Sequence, residues 1–249
     1  MDNFQLEICA NSALSCVEAE RGGATRVELC AGIPEGGTTP SAGEIREARK
    51  LIKIPIHVII RARAGDFCYS PSELDAMAYD IEVARSLGAD GVVFGCLDTD
   101  GNYDAYANRL LMSKAKGMQV TFHRAFDMCR YPTEVLERLI DDGFHRVLTS
   151  GCAPTAPEGV DLLTDLVRQS QGRIGIMAGC GVRAANIAEL ARRTGITQFH
   201  TSLRSNMESP MKFRRREVSM GGTVMIDEYR LPVTDAFLVE QTVDILKKL

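Results

Sequence analysis

Glu7-Ile8-Cys9 and Glu28-Leu29-Cys30 repeat one pattern, an acid two residues ahead of a cysteine. In an extended chain, residues two apart point to the same side, so each acid shares a face with its thiol. Soft metal ions take thiolates, often two sulfurs. Cys9 and Cys30 are therefore candidate ligands for a soft metal ion, provided that their strands are neighbours about 4.8 Å apart. Arg61, His123 and His200 bring different chemistry to the same set. A glutamate desolvated among them gains a raised pKa and can act as general acid or base, and an imidazole transfers protons near neutral pH. Glu7, Glu28, His123 and His200 also form a mixed carboxylate and imidazole set. That set suits zinc, manganese or iron better than a soft ion, though Arg61 beside the glutamates opposes a cation.

A further group reads as anion-binding. Arg63 and Arg124 can clamp anionic groups bidentately, and Asp127 can orient His123. Thr149-Ser150-Gly151, Gly179-Cys180-Gly181 and Ser202 are small-residue segments. Where such segments lead into a helix they expose backbone N–H groups to a phosphate. Together these residues describe an enzyme acting on a small metabolite, phosphorylated or not. No Ser-His-Asp elbow, phosphate-binding P-loop or dinucleotide fingerprint accompanies them.

The elements that must position these groups follow from a period. Short apolar, β-branched runs begin near Phe4, Arg26, Ile56, Gly91, Gln119, Arg146, Ile174 and Gln198, with helical patterns between them. Eight such units predict an α/β fold, a (β/α)₈ TIM barrel formed as one domain over residues 1–249. The even-numbered strands are entered through a glycine four residues ahead of an apolar position, at Gly23, Gly88, Gly143 and Gly195. Ser12, Ser41 and Ser72 are expected N-caps, and Pro132 a first-turn proline. The last helix is expected over about 234–248, preceded by an extended polar segment, about 203–232, too long for an ordinary loop. That segment reads as an ordered flap or a subunit contact.

Alternation then assigns faces. Phe4, Leu6, Ile8, Val27 and Leu29 face the helices. Gln5, Glu7, Cys9, Arg26, Glu28, Cys30, His57, Ile59, Arg61, Thr121 and His123 face the barrel interior, and His200 takes the place in strand 8 that Glu28 takes in strand 2. Five ionisable groups, Glu7, Glu28, Arg61, His123 and His200, thus converge on one mouth. The alternative to a ligand site is a closed cage in which Arg61 neutralises both glutamates. His57 and His145 lie away from the mouth and read as structural.

Composition bounds the function. The chain has 249 residues, 45% hydrophobic and 25% charged, with net charge −4. That balance is globular and gives no electrostatic pull toward nucleic acid or an anionic membrane. No apolar run approaches the roughly 20 residues of a spanning helix, and the first residues read as no signal peptide. None of the eight cysteines forms a C-x-x-C pair, so they are expected as free thiols in a cytoplasmic protein. Cys16 reads as core filler. Cys68, Cys96, Cys129, Cys152 and Cys180 are expected near the mouth.

The motifs Arg26-Val-Glu-Leu-Cys30, Glu35-Gly-Gly-Thr-Thr-Pro-Ser41, Gly65-Asp-Phe-Cys-Tyr-Ser70, Thr121-Phe-His-Arg-Ala-Phe-Asp127, Arg146-Val-Leu-Thr-Ser-Gly151 and Met211-Lys-Phe-Arg214 span nearly the whole chain. In these the sequence resembles the CutC family, long called copper homeostasis proteins. The resemblance implies a TIM barrel, a cytoplasmic homodimer and a role in copper binding or trafficking, and it points to Cys9 and Cys30 as the ligands. The chain departs from the family pattern at Ala62, where proline is usual, and at Arg215-Arg216.

Overall fold

The computed structural model describes residues 4–221 and 226–249. Eight parallel strands close into a barrel in sequence order, each neighbour pairing with the next and the last with the first. They are β1 (Gln5–Ala10), β2 (Arg26–Leu29), β3 (Ile56–Ile59), β4 (Gly91–Phe94), β5 (Gln119–Phe122), β6 (Arg146–Thr149), β7 (Gly175–Ala178) and β8 (Gln198–Thr201). Between and after them run α1 (Ala13–Arg21), α2 (Ala42–Leu51), α3 (Pro71–Ser86), α4 (Ala105–Lys114), α5 (Pro132–Asp141), α6 (Val160–Ser170), α7 (Ala184–Thr194) and α8 (Ala236–Leu246). The TIM barrel read from the period is therefore the fold. Observed strand starts lie within a residue of those expected.

The helix-facing set forms the main core. Leu6, Ile8, Val27, Leu29, Ile56 and Val58 are all buried, each contributing about 1.5–3 kcal/mol of burial free energy. Each unit then has to turn back sharply. Gly23, Gly88, Gly143 and Gly195 adopt φ of 87°, 87°, 81° and 75°, a region in which a Cβ would clash. Ser12 and Ser41 cap α1 and α2, and Pro132 opens α5. The cap of α3 is Ser70, not Ser72. Pro71 takes the first helical position, and Ser70 and Glu73 bond each other's backbone N–H reciprocally.

The described residues of the segment 203–232 include a hairpin arm. β9 (Arg204–Glu208) pairs antiparallel with β10 (Arg230–Thr234), which leads into α8 through the Asp235 cap. Residues 222–225 of that segment, and residues 1–3 of the expected leaderless start, lie outside the described residues. The final helix is correspondingly shorter than expected. Among the described residues, no helix is long and apolar enough to cross a membrane.

Candidate metal and ligand site

The floor of the site is a wholly buried carboxylate. Register places Glu7 of β1 opposite Arg26 of β2 on one side and His200 of β8 on the other. Arg26 Nε donates to Glu7, and His200 Nδ1 lies 2.7 Å from Glu7 Oε1. Arg26 also reaches Gln5 Oε1 at 3.1 Å and Met177 Sδ at 3.4 Å, which holds its guanidinium inside the barrel. Burial alone would raise the Glu7 pKa, but Arg26 and His200 override it and hold the carboxyl well below the usual range. His57 Nδ1 is 3.9 Å from Glu7, yet burial drives the His57 pKa to about 3. That contact is therefore polar and not ionic.

Above this floor stand the two thiols. Cys9 Sγ and Cys30 Sγ are 3.8 Å apart, and Cys30 Sγ lies 3.3 Å from Glu28 Oε2. Cys9 Sγ, a Glu28 carboxylate oxygen and Cys30 Sγ all fall within 4.8 Å of one another. Among the described residues, no other group of three ligand-type side chains gathers this closely. Arg204, at the start of β9, donates from Nη2 to the Cys9 carbonyl at 2.9 Å and lies 3.4 Å from the sulfur. The hydrogen bond from Cys30, with His200 and Arg204, outweighs burial and holds the Cys9 thiol well below its ordinary value. The same contact, with burial, pushes Cys30 well above it. Burial raises the Glu28 pKa to about 8 although His200 Nε2 lies 3.6 Å away. Burial opposes the His200 charge, but Cys9, Glu28 and Glu7 together raise its pKa well above the ordinary value. The layer thus sets a thiol pushed toward its thiolate form beside an imidazole pushed toward its charged form, above the Glu7 floor.

These groups open into a cavity of about 1220 Å³ at the C-terminal ends of the strands. Cys9, Glu28, Cys30, Arg61, His123, Arg124, Asp127, Gly181, His200 and Ser202 all line it, as do Arg183 and Arg204. Several candidates are otherwise engaged. Arg61 gives its terminal nitrogens to the carbonyls of Glu35, Gly37 and Gly65 and lies over Phe67, so the cage in which it neutralises Glu7 and Glu28 does not form. Those carbonyls belong to the loops at the mouth, next to the end of β3, whereas Arg26 sits opposite Glu7 in register. His123 accepts from the Ala125 N–H and packs on Phe67, apart from the Cys9, Glu28 and Cys30 cluster. Burial, with Arg61, lowers its pKa to about 3. The mixed set of Glu7, Glu28, His123 and His200 is accordingly not gathered around one point.

Arg63 lies outside the cavity lining, bound to Glu73 and Asp66 and stacked on Tyr69. Asp127 accepts from Arg124 Nε, Thr149 Oγ1 and the Ser150 and Cys152 N–H groups, which fastens the ends of β5 and β6 together. Ser150 is buried beneath, donating to the Ala153 carbonyl and receiving Arg124 Nη2. Gly179 sits where a Cβ would come within 2.4 Å of Leu148 Cδ1. Cys16 is core, as expected, and Cys96 is also fully buried; Cys180 reaches the cavity. Cys152, Cys180 and Leu203, which follow β6, β7 and β8, are all in the left-handed region. Non-glycine residues there cost about 1–3 kcal/mol each, and such strain gathers at functional sites.

The family model described as CutC family matches residues 4–205, the stretch that carries all eight barrel strands and every site residue named above. The chain belongs to the CutC family. A family member from Porphyromonas gingivalis is 69% identical over 244 residues, 98% of each chain. The human copper homeostasis protein cutC homolog is 47% identical over 234 residues, 94% of this chain and 86% of that one. A crystal structure of the putative copper homeostasis protein CutC of Streptococcus agalactiae superimposes with a TM-score of 0.77 at 33% identity, covering 80% of this chain and 98% of that one. A thiamine phosphate pyrophosphorylase from Pyrococcus furiosus, at 16% identity and a TM-score of 0.61, shares the fold alone.

Proposed function

We propose that this CutC family member is a copper-binding protein of copper homeostasis, holding Cu(I) as its cargo between Cys9 and Cys30. The observation that carries this reading is the 3.8 Å approach of two sulfurs at the floor of an open cavity. The donor set fits the ion: two thiols of opposite pKa displacement suit a soft cation, and one is already held toward thiolate. Relatives named for copper homeostasis support the same role. The site would act in the cytoplasm, a reading supported by eight free cysteines, since reducing compartments keep thiols unpaired. A homodimer is supported by the apolar side chains that the hairpin arm leaves exposed, Met211, Phe213 and Met220 among them. A hollow of about 560 Å³ on that arm is lined by Arg214, Tyr229 and Arg230 and contains none of the sulfurs or imidazoles. An anaerobic Cu(I) competition titration tests the proposal. The reduced protein should take up one ion tightly, and the Cys9→Ser, Cys30→Ser double variant should not. Equal uptake by both would overturn it.

One observation favours a second reading. The cavity is larger than the roughly 300–1,000 Å³ of ordinary small-molecule sites, far more than one ion needs. Arg124, Arg183 and Ser202 at its wall would suit an enzyme substrate carrying a phosphate or carboxylate. Such a ligand would raise the melting temperature of the parent and leave an Arg124→Ala variant unmoved.

A further inference from the structure

We propose that Cys9 and Cys30 are a redox-active dithiol, which a hydroperoxide entering through the barrel mouth converts to a disulfide. Cys9 is the sulfur that reacts first, and Cys30 the sulfur that closes the bond. The inference rests on the same pair as the copper reading and adds a control on it, because only the reduced pair offers two thiolates to a metal.

The geometry separates the two roles. Among the described residues, these are the only cysteine sulfurs in hydrogen-bond contact with each other. Cys9 is partly open to the cavity and has the Arg204 guanidinium 3.4 Å from its sulfur, a cationic setting that favours a nucleophilic thiolate. Cys30 is 2% exposed and its sulfur donates to Glu28 Oε2 at 3.3 Å, so a peroxide entering from the mouth meets Cys9 first. In the first step the Cys9 thiolate attacks one peroxide oxygen and the O–O bond breaks. The leaving alkoxide takes a proton from solvent, so the peroxide is reduced to an alcohol and Cys9 is oxidised to a sulfenic acid. In the second step Cys30 attacks the Cys9 sulfur and the S–O bond breaks. The departing hydroxide takes up the Cys30 proton and leaves as water. The sulfurs must close from 3.8 Å to about 2.05 Å, a movement within reach of side-chain rotation at the ends of two neighbouring strands. A small-molecule thiol reverses the change by exchange.

The test uses metal-free, reduced full-length protein treated with hydrogen peroxide at equal concentration. Peptide mapping of the parent should show a Cys9–Cys30 crosslink before any other cysteine is modified. In Cys30→Ser the reaction should stop at Cys9 as a sulfenic acid that dimedone traps, whereas Cys9→Ser should form no crosslink and consume peroxide more slowly. First oxidation at exposed Cys152, or equal peroxide consumption by parent and Cys9→Ser, would overturn the proposal. The parent mapping keeps the test valid if a serine variant folds poorly. Cu(I) competition on reduced and oxidised parent separates the two readings. Uptake by the reduced form without crosslinking would remove the redox proposal and leave the copper site. Crosslinking without uptake by the reduced form would do the reverse.

Discussion

Replacing Arg26 with methionine tests the electrostatic floor of the site. Arg26 and Glu7 have side chains 6% and 0% exposed, so the substitution leaves a carboxylate buried without its cation. Removing one partner of a buried ion pair costs about 3–5 kcal/mol. His200 remains 2.7 Å away, which places the expected loss near the lower end, about 3 kcal/mol. For a chain of this length that corresponds to a fall in melting temperature of roughly 6–12 °C, read by calorimetry. The pH dependence has a definite sign. The Glu7 pKa is depressed in the folded parent, so its contribution is present above the unfolded carboxyl pKa and is lost as pH falls through the folded value. Parent and Arg26→Met should therefore differ most near neutral pH and converge on acidification, once Glu7 carries a proton in both. Adding Glu7→Gln to Arg26→Met should recover much of the loss, since the stranded charge is gone. A melting temperature unchanged at pH 7, or a gap that widens as pH falls, would refute the reasoning.

Three other outcomes follow from the same contacts. Gly91→Ala puts a Cβ 2.6 Å from the His57 ring and 2.8 Å from the Gln119 carbonyl, and should cost about 1–3 kcal/mol by thermal melting; an unshifted melt would show that β4 moves freely. Asp127→Ala strands the Ser150 and Cys152 N–H groups and should cost about 3 kcal/mol while leaving Cu(I) affinity unchanged. Lost affinity with an intact melt would instead place Asp127 in the metal site. Cu(I) binding must expel the proton that the raised Cys30 pKa retains, so affinity should climb roughly tenfold per pH unit in competition titrations between about pH 6 and 8. A flat profile would exclude Cys30 as a ligand.

The barrel was legible because two independent signals, the βα period and the glycines that end its helices, mark the same boundaries. Gly88 and Gly143 have to be left-handed where they stand, and Gly91 and Arg146 begin strands three residues later. The approach of Cys9 to Cys30 was also foreseeable, as both end neighbouring strands in one phase. What alternation cannot supply is stagger. Arg26 was placed inward beside Arg61, but only the register, with Glu7 opposite Arg26, decides which arginine neutralises the buried carboxylate. Arg61 was then claimed by loop carbonyls that sequence could not bring to it. His123 had the right phase, and local bonding to Ala125 and packing on Phe67 turned it to another use. The cap of α3 falls at Ser70 and not at the expected Ser72, because Pro71 takes the first helical position and Glu73 closes the capping box. The hairpin arm stayed hidden because β9 is polar and exposed while β10 is short, carries Pro232 and is buried only at its end, so neither strand alternates against a buried face.

The central claim is that the two strand-end sulfurs hold the metal. Copper X-ray absorption on protein loaded anaerobically with one equivalent of Cu(I) tests it most directly. The prediction is a cuprous edge with a first shell of sulfur in the parent, and loss of that shell in the Cys9→Ser, Cys30→Ser variant. A shell dominated by nitrogen or oxygen, or the same sulfur shell in both proteins, would contradict the account.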